Sequence, residues 1–268
     1  MITTGDPKGI GPEVVKKALK DPRIRRLADF FIIGARDGVG FDAIKKAVRI
    51  LKRCEVDGLV TAPVNKAAIN KAGIAFKGHT EYLAQASRVK KFAMMFCRKN
   101  FRVSLVTRHV ALKNVAASIS REKIRDTIIL TEKALREDFR IHRPRICVCG
   151  LNPHCGENGL MGDEEKRIVG PIVARLRSKI RGLEGPLPAD VAFYMAHKGR
   201  FDAVVAMYHD QGLGPFKMIA FEDGVNVTLG LPYVRTSPDH GTAYDIAGKG
   251  IANPASIKAA IKLAVKIC

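Results

Sequence analysis

The chain has no tryptophan, few aromatics and no apolar run long enough to span a bilayer, and each absence removes a class of protein. Aromatic residues make up 6% of the 268 residues, which gives little support to a stacking platform for single-stranded nucleic acid. A transmembrane helix needs about 20 consecutive apolar residues, and without one no membrane association is expected. Acidic residues are scarce too: 26 Asp and Glu against 46 Lys and Arg leave a formal charge of +20. Such a field attracts phosphate compounds and gives weak, salt-sensitive contact with nucleic acid. Many of the cations fall on helical patterns, as in Lys16-Lys17, Arg25-Arg26, Lys45-Lys46 and Lys52-Arg53, where a solvated outer face accounts for them. No specific nucleic-acid partner is therefore expected. The opening segment Met1–Pro7 has neither the basic head nor the apolar stretch of a secretory signal, which points to the cytoplasm. The six cysteines form no CxxC pair, and a chain of this length can build a core without disulfides. Cys147 and Cys149 alternate as small apolar residues of a buried strand. Cys155 differs, because it shares a glycine-rich loop with His154.

What is present is a regular alternation of strand and helix signals. Pro12 opens a helix carried by Val14, Val15, Ala18 and Leu19, and a second helical period runs through Phe41, Ile44, Val48 and Leu51. Phe30–Ile33, closed by Gly34, has the form of a buried strand. Strands are also predicted at Leu59-Val60, 92–96, 103–106, 146–148 and 203–207, with an apolar segment at 225–229. A long helix is predicted over 119–135 and a terminal one from near Asn253-Pro254. A further helix follows Gly162, with Gly170-Pro171 placed to kink it. The alternation predicts a layered, largely parallel α/β protein. Gly5-Asp6-Pro7-Lys8-Gly9-Ile10-Gly11-Pro12 lacks the GxGxxG spacing and reads as a tight turn plus a helix start.

His109, His154 and His209 each follow a predicted strand by a few residues. A parallel sheet can therefore bring them together despite separations of 45 and 55 residues. Three imidazoles suit Zn²⁺, Co²⁺ or a related ion with positions left for water or substrate oxygens, and Asp210 is placed to orient a ligand or handle a proton. An ordinary hydrogen-bonded role for each histidine is the competing reading. Lys217 and Arg235 can hold carboxylate or phosphate oxygens, with Asn226 adding an amide hydrogen bond.

The motifs GDPKGIGPE, VTAPVNKAAI, GHTEYLA, VTRH, LNPHCGENGLMG, GPLPAD, MYHDQG and GVNVTLGLPYVRTSPDHGTAYDIAGKG span nearly the whole chain. Together they resemble the 4-hydroxythreonine-4-phosphate dehydrogenase family of vitamin B6 biosynthesis and its phosphorylated sugar-acid dehydrogenase relatives. The last run is also similar to a segment of isocitrate and isopropylmalate dehydrogenases. The resemblance implies that layered α/β fold, with two subdomains about a central cleft, here placed at 1–105 plus 230–268 and at 106–229. It implies one divalent ion (Zn, Mg or Co) on His109, His154 and His209, and substrate contacts from His79, Thr80, Lys217, Asn226 and Arg235. NAD or NADP is implied near Asp239, His240, Gly241 and Thr242, in a homodimer with active sites at the subunit boundary. The reaction implied is oxidation of 4-phosphooxy-L-threonine at its C3 hydroxyl, with decarboxylation to 3-amino-2-oxopropyl phosphate. Oxidation of 4-phospho-threonate or 4-phospho-erythronate is the alternative within the family, and a catalytically weakened metal- or nucleotide-binding relative the alternative outside it. The family pattern is longer than this chain, and the missing stretch falls between Phe31-Ile32-Ile33-Gly34 and Gly38-Val39-Gly40-Phe41.

Overall fold

Apolar runs punctuated by glycine and proline form ten strands, and the amphipathic stretches between them form helices. The computed structural model describes residues 1–268 and divides into two compact units, Met1–Lys90 with Glu222–Cys268, and Lys91–Phe221.

The first unit holds β1 (Ile2–Thr3), β2 (Ile32–Ile33), β3 (Gly58–Thr61), β9 (Val225–Leu229) and β10 (Val234–Pro238), in the order β2-β1-β3-β10-β9. All run parallel except β9. Parallel strands end at the same edge, so the loops after β1, β2, β3 and β10 converge there. Pro12 sits in the first turn of the helix Gly11–Lys20. A Cβ on Gly11 would lie 2.1 Å from the Thr4 carbonyl oxygen, so only glycine lets this helix start so close to β1. The helix Phe41–Lys52 buries Phe41, Ala43, Ile44, Ala47, Val48 and Leu51 against Ile33, Leu59, Ile69 and Leu83. Each large side chain buried this way contributes about 1.5–3 kcal/mol. One sequence expectation is corrected here: of the run Phe30–Ile33 only Ile33 is buried. β2 is the outermost strand of its unit, pairs on one side only with β1, and leaves Phe31 and Ile32 each 48% exposed.

The second unit holds β4 (Ala93–Arg98), β5 (Phe101–Leu105), β6 (Ile146–Cys149), β7 (Leu183–Leu187) and β8 (Ala203–Ala206), in the order β4-β5-β8-β6-β7. β4 and β5 form an antiparallel hairpin; the remaining pairs are parallel. Residues alternate between two buried faces, as strand geometry requires. Val103, Leu105, Cys147, Cys149, Val204 and Ala206 meet Phe193, Leu213 and Phe216 on one side. Ile146, Val148, Ala203 and Val205 meet Ile124, Ile128, Val173 and Leu176 on the other. The two strand cysteines are buried and free, and burial pushes the Cys147 thiol up to about 12. The kink foreseen at Gly170-Pro171 is a π-turn: Glu165–Val169 precedes the helix Gly170–Arg177, and the Gly170 N–H donates to the Glu165 carbonyl.

The unit boundaries fall earlier than the 105/106 and 229/230 divisions expected from the sequence. The β4–β5 hairpin hydrogen-bonds to β8 and so joins the second unit, while β9 pairs with β10 and draws residues 222–229 into the first. No helix is long and apolar enough to cross a membrane.

Candidate functional site

Within the first unit, the residues expected to hold an anion share one polar interior. Arg235 on β10 is 3% exposed and donates from Nε and Nη2 to Thr61 Oγ1 (3.2 and 2.6 Å) and from Nη1 to Thr228 Oγ1 (3.0 Å). Thr228 Oγ1 lies 3.4 Å from Thr80 Oγ1. Burial lowers the Arg235 guanidinium to about 10, with Tyr233 and Glu81 acting in the opposite direction. Asn226 is on β9, two residues before Thr228 and therefore on the same face, and its Oδ1 is buried without a hydrogen-bond partner.

His79 opens the helix His79–Ala86 and sets its ring edge-on to Phe76, with centroids 5.9 Å apart. Its Nε2 is buried and unpartnered. Burial, with the positive charges of Arg235 and Lys66 adding to it, holds the imidazole well below its ordinary range, so His79 is neutral at pH 7. Buried Arg235 and an Nε2–H of the neutral His79 ring can donate to carboxylate or phosphate oxygens, whereas Asn226 Oδ1 is an acceptor and calls for a hydroxyl or ammonium hydrogen of the same ligand. The sequence reading missed Thr61, Thr228 and Lys66. The alternation of Asn226 and Thr228 on one strand face was the available signal for Thr228.

The 239–242 segment follows β10 at the edge where the parallel strands of this unit end. The Asp239 N–H donates to Ser256 Oγ, His240 Nδ1 lies 3.0 Å from the Gly241 carbonyl, and the Thr242 carbonyl accepts from the Ile10 N–H. His240 Nε2 is buried without a partner, and the space beside Gly241 is open. Tyr244 OH donates to buried Asp6 at 2.5 Å, tying this segment to the turn that precedes the helix Gly11–Lys20. An unsatisfied imidazole nitrogen in a loop at parallel strand ends fits a ligand such as a nicotinamide dinucleotide.

Within the second unit, His109, His209 and His154 follow the carboxyl ends of β5, β8 and β6, three neighbouring parallel strands. The His109 and His209 rings have centroids 5.5 Å apart and are tilted by 42°. From that separation two imidazoles can both reach one ion at nitrogen distances of about 2.0–2.1 Å. His209 begins the helix His209–Ala220, and its Nδ1 lies 2.7 Å from Asp210 Oδ1. Gln211 accepts from the Met207 N–H and donates to the Gly150 carbonyl, linking this helix start to the end of β6. His154 is exposed, with Nδ1 2.6 Å from Glu157 Oε1. In both carboxylate-bound rings Nε2 is the nitrogen left for a ligand, the arrangement common to metal-binding histidines. The donor chemistry fits a divalent cation, although no three His, Cys, Asp or Glu side chains of the chain are grouped to hold one. Lys217, in the last turn of the same helix, places Nζ 5.4 Å from the centre of the Phe221 ring.

Comparison with known proteins gives one consistent result. The family described as pyridoxal phosphate biosynthetic protein PdxA matches residues 35–264. A 4-hydroxythreonine-4-phosphate dehydrogenase from Geobacter metallireducens is 40% identical over 321 aligned positions, covering 100% of this chain and 94% of the relative. Since this chain has 268 residues, 53 of those 321 positions have no counterpart in it. The crystal structure of the Klebsiella pneumoniae 4-hydroxythreonine-4-phosphate dehydrogenase superposes with a TM-score of 0.87 at 37% identity, covering 99% of this chain and 96% of that one. Isocitrate dehydrogenase from Methylococcus capsulatus, at 15% identity and a TM-score of 0.56 over 97% of this chain and 81% of its own, shares the fold.

Proposed function

The chain belongs to the PdxA family of pyridoxal phosphate biosynthetic proteins, and from that premise we propose that it oxidises 4-phosphooxy-L-threonine at its C3 hydroxyl with NAD or NADP. The observation that carries the reading is the interior of the first unit. There buried Arg235 is bonded to threonine hydroxyls, beside the unpartnered His79 Nε2 and Asn226 Oδ1. A buried cation and an orphaned imidazole nitrogen are costly unless an anionic ligand completes them, and the orphaned Asn226 oxygen is completed by a hydroxyl or ammonium donor. A phosphorylated hydroxy acid carries two anionic groups suited to this purpose.

In this reading Arg235 grips a carboxylate or phosphate edge through its planar fork, and His79, Thr80, Asn226 and Lys217 hold the remaining oxygens. Fixing both ends of the substrate orients the C3–H bond, which is the protein's contribution to hydride transfer. Bound nicotinamide would supply the acceptor for the C3 hydride, Asp210 or water would take the hydroxyl proton, and the product would be a ketone. The resulting β-keto acid loses CO₂ to give 3-amino-2-oxopropyl phosphate. His109, His154 and His209 would hold a divalent ion, whose positive charge would lower the cost of deprotonating the hydroxyl. Asp239, His240, Gly241 and Thr242 are assigned to the dinucleotide. The working unit is a homodimer, and a site at the subunit boundary would let imidazoles of two copies complete one metal shell.

The test crosses phosphorylated hydroxythreonine, threonate and erythronate with NAD and NADP, in the presence of Zn²⁺, Mg²⁺ or Co²⁺. Reduced nicotinamide is expected with the hydroxythreonine. Faster turnover of threonate or erythronate would reassign the substrate within the family. Folded protein with no turnover in any combination would remove the dehydrogenase reading.

A further inference from the structure

We propose that Glu165 is the positioning residue for His154, its buried carboxylate clamping the loop that presents the imidazole. The inference rests on the reading of His154 as a metal ligand given above. The loop is unusual in its backbone: His154, Cys155, Gly156, Glu157 and Asn158 have φ of 50°, 57°, 78°, 42° and 58° in succession. Left-handed conformation is unfavourable for Cys155 and Glu157, better tolerated by His154 and Asn158 and free only for the glycine, so the run as a whole works against the turn. Something outside it must hold it in place.

Glu165 is the group that does so. It lies across the loop at the start of the π-turn and is 6% exposed. Its Oε1 accepts from the Leu151 and Asn152 N–H groups at 2.6 and 2.7 Å, and its Oε2 accepts from Asn152 Nδ2 at 3.0 Å. Glu164 Oε2 takes the same side-chain amide at 2.7 Å, so Asn152 is gripped through its backbone and its side chain. Two residues later the chain enters the left-handed run. Bonds from N–H groups to an ionised carboxylate out of water are among the strongest available to a loop.

Two glycines make room for this arrangement. A Cβ on Gly150 would stand 2.9 Å from Glu165 Oε1, and one on Gly156 would stand 3.0 Å from Glu165 Oε2 and 2.4 Å from the Gly162 carbonyl. The loop is closed from the far side by the Met161 N–H, which donates to the Gly156 carbonyl. Glu165 hydrogen-bonds to Leu151 and Asn152, while the imidazole is bonded to Glu157. Its effect passes through Leu151 and Asn152 to the direction in which His154 points, with Glu157 holding Nδ1 so that Nε2 faces outward.

The test uses the full chain, metal-free, titrated with Co²⁺ alone and followed by its visible absorption, with amide hydrogen exchange of residues 150–158 as a second readout. Glu165→Ala is expected to weaken Co²⁺ binding about 10- to 100-fold, the range typical of groups that orient a ligand, and to speed exchange at Leu151 and Asn152. Glu165→Gln keeps one acceptor for the two backbone N–H groups but turns an amide donor toward Asn152. It is expected to fall between the other two proteins, and it keeps the idea testable if the alanine variant does not fold. His154→Ala serves as the reference. If His154→Ala loses Co²⁺ affinity while the Glu165 variants bind as tightly as wild type, the positioning role is wrong and the metal reading stands. If His154→Ala itself binds Co²⁺ unchanged, the metal reading fails, and the assignment of Glu165 with it.

Discussion

His79 and Arg235 are shifted in the same direction by the same confinement and end in different charge states. The imidazole stays neutral because burial and two neighbouring cations oppose its protonation, whereas the guanidinium stays charged because even a value near 10 lies above physiological pH. The histidine's depressed folded-state value sets a pH dependence. In the unfolded chain His79 takes up a proton below about pH 6.5, while in the folded chain it does not, so the unfolded state binds more protons and stability falls as the pH drops. Between pH 7 and 5.5 the wild type is expected to lose about 1 kcal/mol more than His79→Asn, as measured by urea unfolding at the two pH values. Equal losses would show that the ring is protonated in the folded protein. A saturating phosphoacid ligand should shrink the difference, since an anion beside the ring favours its charged form.

At the scale of elements, the π-turn 165–169 connects packing to the His154 loop. Pro171 has no N–H to give, and the extra residue of the π-turn lets Glu165 turn inward while Val169, Ile172 and Val173 still reach the core. Gly170 is the point of closest approach, since a Cβ there would lie 2.8 Å from the Glu165 carbonyl oxygen. Gly170→Ala is expected to cost about 1–3 kcal/mol through this overpacking, read by urea unfolding. Unchanged stability would mean that the turn has slack. Proline at this position made a kink legible in the sequence, but not its kind. The same limit applies to β2, where four apolar residues suggested burial. Whether a strand lies inside or at the edge depends on pairing partners that sequence pattern does not report.

At the scale of the whole molecule, the surface of the second unit carries exposed large apolar side chains. Met218 and Phe221, one helical turn apart, are 90% and 77% exposed. A second copy of the chain, in the homodimer proposed above, would cover such a surface. Sedimentation is therefore expected to give a dimer for the wild type and a folded monomer for Met218→Lys/Phe221→Lys, with turnover lost alongside dimerisation. A wild type that is monomeric at concentrations where it turns over would separate activity from assembly.

The sequence by itself determined the alternating strands and helices, the placement of three histidines just beyond parallel strand ends, and the family. These follow from local pattern and from motifs whose residues stay together along the chain. Only the tertiary structure decided that Thr61 and Thr228, 167 positions apart in the numbering, share one guanidinium. Only the fold, likewise, set Glu165 beneath the His154 loop and brought the His109 and His209 rings 5.5 Å apart. Those relations depend on strand order and on which face each side chain takes, and no nearby stretch of sequence encodes either.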